Sequence, residues 1–423
     1  MGRQLYTCVY LLILPLMFAR LWWRARQNPA YRLRWAERLA RYSSPPLQKN
    51  SISFHAVSVG EVHAAVPLIE QVLCSYPATP VVVTTTTPTG SARVQQLFGD
   101  RVHHAYLPYD LPSAVHRFLR HFRPALLVLL ETELWPNLLQ ACSEQQCPVL
   151  LVNARLSPKS LASYKCIAAL TRQMLQQLSR VAAQAQADGD RFVTLGLAPD
   201  KLQISGSLKF DMTLRHDKIA AARAARAQWP ARPVWIAAST REGEDALVLQ
   251  AFRQALQVLP SLLLVLVPRH PERFGTATEQ AAAAGLRVVR QTSGSTVAAD
   301  TQVLIGDTLG DMHFYYSLAD LAFVGGSLVN TGCQNIIEAA ALGLPVVTGP
   351  SLFNFQAASD DLREAGGMLV VSDPAALGYA LVELMQDAAR RQRMASQAQA
   401  VVASNLGATT RLFALVQRYW RNH

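Results

Sequence analysis

Leu126-Leu127-Val128-Leu129-Leu130-Glu131-Thr132-Glu133-Leu134-Trp135-Pro136-Asn137 is the stretch whose reading decides the fold. Five uninterrupted aliphatic residues suit a strand buried on both faces, and such strands belong to parallel sheets covered by helices on each side. Two carboxylates follow at once, spaced i and i+2. They cannot both be core, and as a pair they are a stronger functional signal than either alone. Pro136 then suits the first turn of a helix. Strand, polar turn, helix is the repeating unit of an α/β protein in which ligands bind at the carboxyl ends of strands.

The same unit recurs on both sides of this stretch. The first half predicts strands at Ile52–Val59, Val81–Thr86, His104–Leu107, Leu126–Leu130, Val149–Asn153, Arg180–Ala183 and Leu202–Ser205, with helices such as Val62–Cys74 and Gly90–Phe98 between them. The second half predicts strands at Val234–Ala238, Leu262–Val267, Leu286–Val289, Val303–Ile305, Leu321–Val324, Val346–Thr348 and Met368–Val371. We expect two Rossmann-like doubly wound domains facing a cleft, over residues 50–211 and 233–423. Residues 212–232, rich in Ala and Arg and ending in Trp229-Pro230-Ala231-Arg232-Pro233, would link them. The length of 423 residues with 50% hydrophobic content agrees with two domains of roughly 200 residues each, and it excludes a disordered chain.

Polar turns follow most of these strands. Ser58-Val59-Gly60-Glu61 follows the first and places Glu61 in the opening turn of a helix. There it could act as a general base, or simply complement the helix dipole. Gly206-Ser207-Leu208-Lys209-Phe210-Asp211 offers a lysine able to reach a phosphate or a developing anion, or one that is merely solvated. In the second half come Ser239-Thr240-Arg241-Glu242-Gly243-Glu244, Pro268-Arg269-His270-Pro271-Glu272-Arg273-Phe274, Gly306-Asp307-Thr308-Leu309-Gly310-Asp311-Met312, Gly325-Gly326-Ser327-Leu328 and Gly332-Cys333-Gln334-Asn335-Ile336-Ile337-Glu338. Hydroxyls, glycines and arginine repeated at successive strand ends read as phosphate-binding loops, and Glu338 is placed to accept from ribose hydroxyls. Asp188-Gly189-Asp190 matches the D-x-D of metal-dependent sugar transferases, but its setting favours helix capping. G-x-G-x-x-G and the P-loop are absent, as is any aromatic-plus-basic platform for nucleic acid.

The amino terminus has a different character. Leu5 to Ala19 is uncharged, and Arg20-Leu21-Trp22-Trp23 follows. Fifteen uncharged residues are short for a span of about 20, and Pro15 would kink a helix. The tryptophans and arginines read as an uncleaved anchor, spanning or interfacial, that keeps the rest of the chain in the cytoplasm. Residues 1–50 carry +8 of the formal net charge of +11, so the basic excess is a local patch suited to anionic phospholipid headgroups. Residues 1–49 are therefore expected to form anchor and basic juxtamembrane segment. The six cysteines are scattered, without zinc spacing, and read as free thiols of a reducing compartment.

Taken in order along nearly the whole chain, these motifs resemble the 3-deoxy-D-manno-octulosonic acid (Kdo) transferases of lipopolysaccharide synthesis. The stretches that carry the resemblance include Arg20-Leu21-Trp22, Ser58–Glu61, Leu107-Pro108-Tyr109-Asp110, Glu131–Asn137, Asn153-Ala154-Arg155-Leu156-Ser157, Gly206–Asp211, Pro268–Phe274 and Phe323–Leu328. The resemblance implies a GT-B architecture, an inner-membrane anchor at the cytoplasmic face, and no metal or other cofactor. It implies transfer of Kdo from CMP-Kdo to a tetraacylated, phosphorylated lipid A precursor, with inversion. It casts Glu61 as the base, Glu131 and Lys209 as transition-state stabilisers, and Pro268, Arg269, Leu309, Gly310, Asp311, Asn335, Ile336, Ile337 and Glu338 as CMP contacts. Two departures stand out. Gly332-Cys333-Gln334-Asn335 replaces the family's usual Gly-Gly-His-Asn, and Gly310-Asp311-Met312 its common Gly-Glu-Met. Gln334 still hydrogen-bonds but carries no proton, and Asp311 is one methylene shorter than Glu.

Overall fold

The computed structural model describes residues 2–26, 28–212 and 214–420. The chain divides into two compact units. In the first, seven parallel strands run β1 (Ser51–His55), β2 (Val81–Thr85), β3 (His103–Tyr106), β4 (Pro124–Leu130), β5 (Val149–Ala154), β6 (Arg180–Ala183) and β7 (Leu202–Ile204). Their spatial order is β3-β2-β1-β4-β5-β6-β7. The second unit repeats the plan with β8 (Val234–Thr240), β9 (Leu263–Pro268), β10 (Val288–Arg290), β11 (Val303–Ile305), β12 (Leu321–Val324), β13 (Val346–Thr348) and β14 (Met368–Val370), in the order β10-β11-β9-β8-β12-β13-β14. All fourteen expected strands are present. The first ends four residues early, because Ser58 caps the helix Val59–Ser75 and stops the extended backbone.

Consecutive residues of β4 serve opposite faces of the sheet. Leu127 and Leu129 join one apolar cluster, while Leu126, Val128 and Leu130 join the other. That is why this strand is apolar throughout rather than alternating.

The unit boundaries differ from those expected at three places. The segment 212–232 is not a bare linker: it carries the helix His216–Ala227 and belongs to the second unit. The chain from Leu406 onward returns to the first unit. There the last helix, Ala408–Trp420, buries Leu412, Phe413, Leu415 and Val416 against Ile52, Phe54 and Leu126. The Asp211 carboxylate accepts the backbone N–H groups of Gly407 (2.7 Å) and Thr409, and so pins the start of that helix. Asp211 therefore has a structural task at the end of its motif. Asp188 is also not a cap. It lies within the helix Gln186–Thr194, and its carboxylate accepts the N–H of Leu156 at 2.9 Å.

The third difference concerns residues 1–49, which join the first unit. The N-terminal helix, Arg3–Arg24, runs through Pro15 and is the one helix among the described residues long and apolar enough to cross a membrane. Tyr10 on one side is buried in the first unit's core, and Thr7 hydrogen-bonds Asn137. Leu12 and Leu16 on another side are 78% and 68% exposed. Downstream, part of the basic segment turns inward. Arg34 donates to the carbonyl of His104 and to Ser91, and Glu37 accepts the N–H of Tyr106.

Leu412→Ala removes a fully buried side chain from the last helix. It is expected to lower the unfolding free energy by about 2–5 kcal/mol in urea titrations of the whole chain. A cost below about 0.5 kcal/mol, typical of surface positions, would remove that helix from the core.

Candidate active site

Strand order reverses between β1 and β4 in the first unit, and between β8 and β12 in the second. Loops leaving the carboxyl ends of two such strands turn to opposite sides of the sheet and leave a crevice between them. In the first unit the two loops that border it carry Glu61 and the Glu131–Glu133 pair.

Glu61 sits in the first turn of its helix. Its Oε1 accepts the Ser58 hydroxyl at 3.0 Å, its Oε2 accepts the Val57 N–H at 2.8 Å, and its own N–H donates to Ser58 Oγ. Serine and glutamate three residues apart form a capping box, so the modest reading of Glu61 is geometrically satisfied. Its electrostatics go further. Burial, followed by the negative charge of Glu131, pushes the Glu61 carboxyl up to about 7. The Val57 and Ser58 hydrogen bonds pull the other way, and Glu133 adds a smaller upward push. A carboxylate that changes charge near neutrality is suited to taking a proton.

Glu131 follows β4 directly with φ of +56°, the left-handed region that a side chain with a Cβ rarely adopts. Its N–H is held by the Val152 carbonyl at 3.0 Å, so pairing with β5 maintains the turn. Such strain concentrates where geometry serves function. Glu133 accepts Trp135 Nε1–H at 3.0 Å and lies 3.8 Å from Nε2 of His55. His55 is fully buried in β1, and its Nδ1 lies 2.9 Å from the Thr84 hydroxyl. That hydroxyl donates to the Phe54 carbonyl, so Nδ1 carries the proton that it gives to Thr84. Among the described residues Nε2 has no hydrogen-bond partner, and it faces Glu133. Sequence reasoning missed His55. The available signal was a histidine inside a strand otherwise read as core.

Lys209 lies on the short turn Leu208–Phe210 after β7. The Leu208 N–H is held by Asn153 Oδ1 at 3.0 Å, and Asn153 is itself in the left-handed region with φ of +50°. This turn packs against the helix Val59–Ser75, whose first turn carries Glu61. The elements carrying Glu61, Glu131 and Lys209 therefore meet within one unit. Asp110 of the Leu107–Asp110 motif has a structural role, accepting the N–H groups of Asn137 and Leu138 at the start of the next helix.

The second unit corrects part of the phosphate-loop expectation. The buried carboxylate of Glu244 accepts the N–H groups of Arg241 (3.0 Å), Gly326 (2.6 Å), Ser327 (3.0 Å) and Leu328 (2.9 Å). Those amides hold the loop after β12 against the loop after β8, so they do not cradle a phosphate. A Cβ on Gly325 would lie 2.7 Å from the Thr240 backbone, which explains the glycine. Arg273 likewise pairs with Asp245 and the Thr240 carbonyl.

Polar groups remain after β9 and before the helix Ile336–Ala341. Pro268 ends β9 and is buried, while Arg269 is exposed and donates to Gln334 Oε1 at 3.3 Å. Asn335 accepts the N–H of Ile337 and donates to Glu338 at 2.9 Å. Burial raises the Glu338 carboxyl, against the pull of Asn335 and Arg269. The Ile336 and Ile337 side chains are fully buried, which leaves only their backbone to meet a ligand. Leu309 is 68% exposed and Gly310 has φ of +80°. Burial raises Asp311, but Lys218 at 2.7 Å and Thr308 outweigh it and hold the carboxyl below its usual range. Among the described residues no hydrogen bond or ion pair joins the Leu309–Asp311 loop to the Arg269 group. Among the described residues no three His, Cys, Asp or Glu side chains gather as metal ligands would.

Residues 33–212 match the family of 3-deoxy-D-manno-octulosonic-acid transferases (kdotransferase). A 3-deoxy-D-manno-octulosonic acid transferase of Haemophilus influenzae is 40% identical over 424 residues, covering 99% of each chain. One of Bordetella pertussis is 41% identical over 425 residues, covering 97% of this chain and 98% of the other. The chain belongs to the Kdo transferase family. Kdo transferases are glycosyltransferases, and this chain is one of them. The crystal structure of MurG from Acinetobacter baumannii superposes with a TM-score of 0.59 at 14% identity, over 88% of this chain and 99% of that one. A UDP-GlcNAc 2-epimerase from Neisseria meningitidis bound to UDP-GlcNAc gives 0.56 at 13% identity, over 89% and 100%. These two likenesses speak for the GT-B type of fold alone.

The raised Glu61 carboxyl has a stability consequence with a definite sign. A carboxyl raised in the folded state contributes stability that is complete below about pH 4.5 and is lost as pH rises through about 7. Glu61→Gln stays neutral, so its urea-unfolding free energy should lack that decline between about pH 4.5 and 7. Glu133→Gln should move the decline to lower pH. Parallel pH profiles for wild type and Glu61→Gln would show that Glu61 titrates normally.

Proposed function

We propose that this Kdo transferase moves Kdo from CMP-Kdo to a tetraacylated, phosphorylated lipid A precursor, with inversion and without a metal. The observation that carries the catalytic part is the Glu61 carboxyl, half-buried beside Glu131 and pushed up to about 7. In the proposed step its carboxylate takes the proton of a neutral acceptor hydroxyl. The hydroxyl oxygen forms a bond to the anomeric carbon of Kdo while the bond from that carbon to the phosphate oxygen breaks. One displacement inverts the centre, and CMP leaves with the electron pair. Glu131 and Lys209 stabilise charge as it develops. Glu131 does so on the cationic sugar side and Lys209 on the anionic side.

CMP is assigned to Pro268, Arg269, Leu309, Gly310, Asp311, Asn335, Ile336, Ile337 and Glu338 of the second unit. Arg269 and the amides opening the helix after Asn335 supply positive potential for the departing phosphate. Glu338 accepts from ribose hydroxyls. Gln334, where the family usually has histidine, acts by orienting Arg269 and donates no proton in this reading. The N-terminal helix anchors the enzyme at the cytoplasmic face of the inner membrane, and exposed Leu12 and Leu16, with Trp22 and Trp23 beyond them, support that reading.

Glu61→Ala should abolish transfer in an assay with CMP-Kdo and the lipid A precursor read by mass, while CMP still protects the protein against thermal unfolding. Turnover like that of wild type would sink the base assignment. Protection by UDP in place of CMP would favour a different donor. Removing residues 1–25 should release the protein from sedimenting vesicles, and unchanged pelleting would count against the anchor.

A further inference from the structure

Arg38 is a buried cation of the first unit. It is 4% exposed, and among the described residues no carboxylate lies within ion-pair distance of its guanidinium. Its neighbour Glu37 is committed to Arg34 at 2.6 Å and to the Tyr106 N–H at 3.0 Å. Arg38 donates one hydrogen bond, from Nη2 to the Thr86 carbonyl at 3.0 Å, and its buried Nε–H has no partner. The Tyr106 ring lies 4.4 Å from the guanidinium carbon and Tyr109 lies 6.0 Å away, which compensates only in part. A buried charge is normally paired, so one without a carboxylate partner points to an anion that completes it.

Arg38 lines a cavity of about 340 Å³. The N-terminal helix supplies one wall, with Tyr10, Arg20 and Arg24, and the loops after β1 and β4 supply Val57, Glu133 and Trp135. Three arginines and one carboxylate line it, and that carboxylate accepts from Trp135. Val57 is the residue whose N–H holds Glu61. The cavity is thus basic, partly apolar, open beside a helix with exposed aliphatic residues, and next to the proposed base.

We propose that this cavity binds a phosphate group of the acceptor, with Arg38 as its buried anchor and Arg20 and Arg24 closing over it. The inference rests on the acceptor assignment above and adds the residues that recognise it. Planar guanidinium groups match phosphate oxygens two at a time, and the apolar wall takes the adjoining amphiphile. Arg38 acts by binding and positioning, so the acceptor hydroxyl is presented to Glu61.

The test uses the full-length protein in detergent micelles. The phosphorylated precursor should raise the thermal midpoint of wild type, while its enzymatically dephosphorylated form and phosphatidylglycerol should not. Arg38→Met should unfold no earlier than wild type and lose that increment. Its KM for the precursor should rise about 10- to 100-fold, with KM for CMP-Kdo unchanged. If Arg38→Met fails to fold, the exposed pair Arg20→Ala and Arg24→Ala together must raise KM for the precursor. Unchanged KM in that double variant overturns the proposal. So does an equal midpoint rise with phosphatidylglycerol or with the dephosphorylated acceptor, or a raised KM for CMP-Kdo. If the Glu61 assignment fails instead, the thermal response to the phosphorylated precursor persists.

Discussion

A parallel sheet whose strand order reverses between β1 and β4 leaves a crevice that its own loops cannot fill, and the first unit's chemistry depends on that constraint. The β1 loop brings Glu61 to one side of the crevice. The β4 loop brings Glu131 and Glu133 to the other. Partial removal from water, followed by the nearby charge of Glu131, pushes the Glu61 carboxyl up to about 7.

Glutamates in this protein show how partner count separates structural from chemical roles. Glu244 is as deeply placed as any carboxylate in the chain, and four backbone N–H groups converge on it. Those bonds consume its acceptor capacity and fasten two loops of the second unit together. Glu61 has one N–H and one hydroxyl, and like charges nearby. Its ionised form is under-stabilised, which suits a group that must gain and release a proton. Arg38 is the cationic counterpart: buried, hydrogen-bonded once from its terminal nitrogens, and left without an anion.

Much of the fold was legible because buried parallel strands must be apolar on both faces. Leu126–Leu130 could only be such a strand, and the other thirteen followed from the same pattern. Glu61, Glu131 and Lys209 were legible as residues just after strands. Other features were hidden by distance along the chain. Nothing near Glu244 signals that its partners lie more than 80 residues away at Gly326 to Leu328. Nothing near Asp211 signals that it pins a helix starting at Ala408. The Gly325–Leu328 loop therefore reads as a phosphate cradle although Glu244 already holds its amides, and the last helix reads as part of the second unit although it packs on the first.

The opening stretch shows where the division falls. Local residue order determined that five aliphatic residues form a strand, that Pro136 begins a helix, and that two carboxylates stand at the junction, because hydrophobic period and helix-start chemistry are properties of neighbours. Tertiary structure alone decided which strands lie beside β4. That choice faces Glu133 with buried His55 of β1, gives Glu131 its effect on Glu61, and turns Arg38 from a juxtamembrane charge into the floor of a cavity. Ionisation and ion pairing depend on distance in space and on exclusion of water, and a linear sequence encodes neither directly.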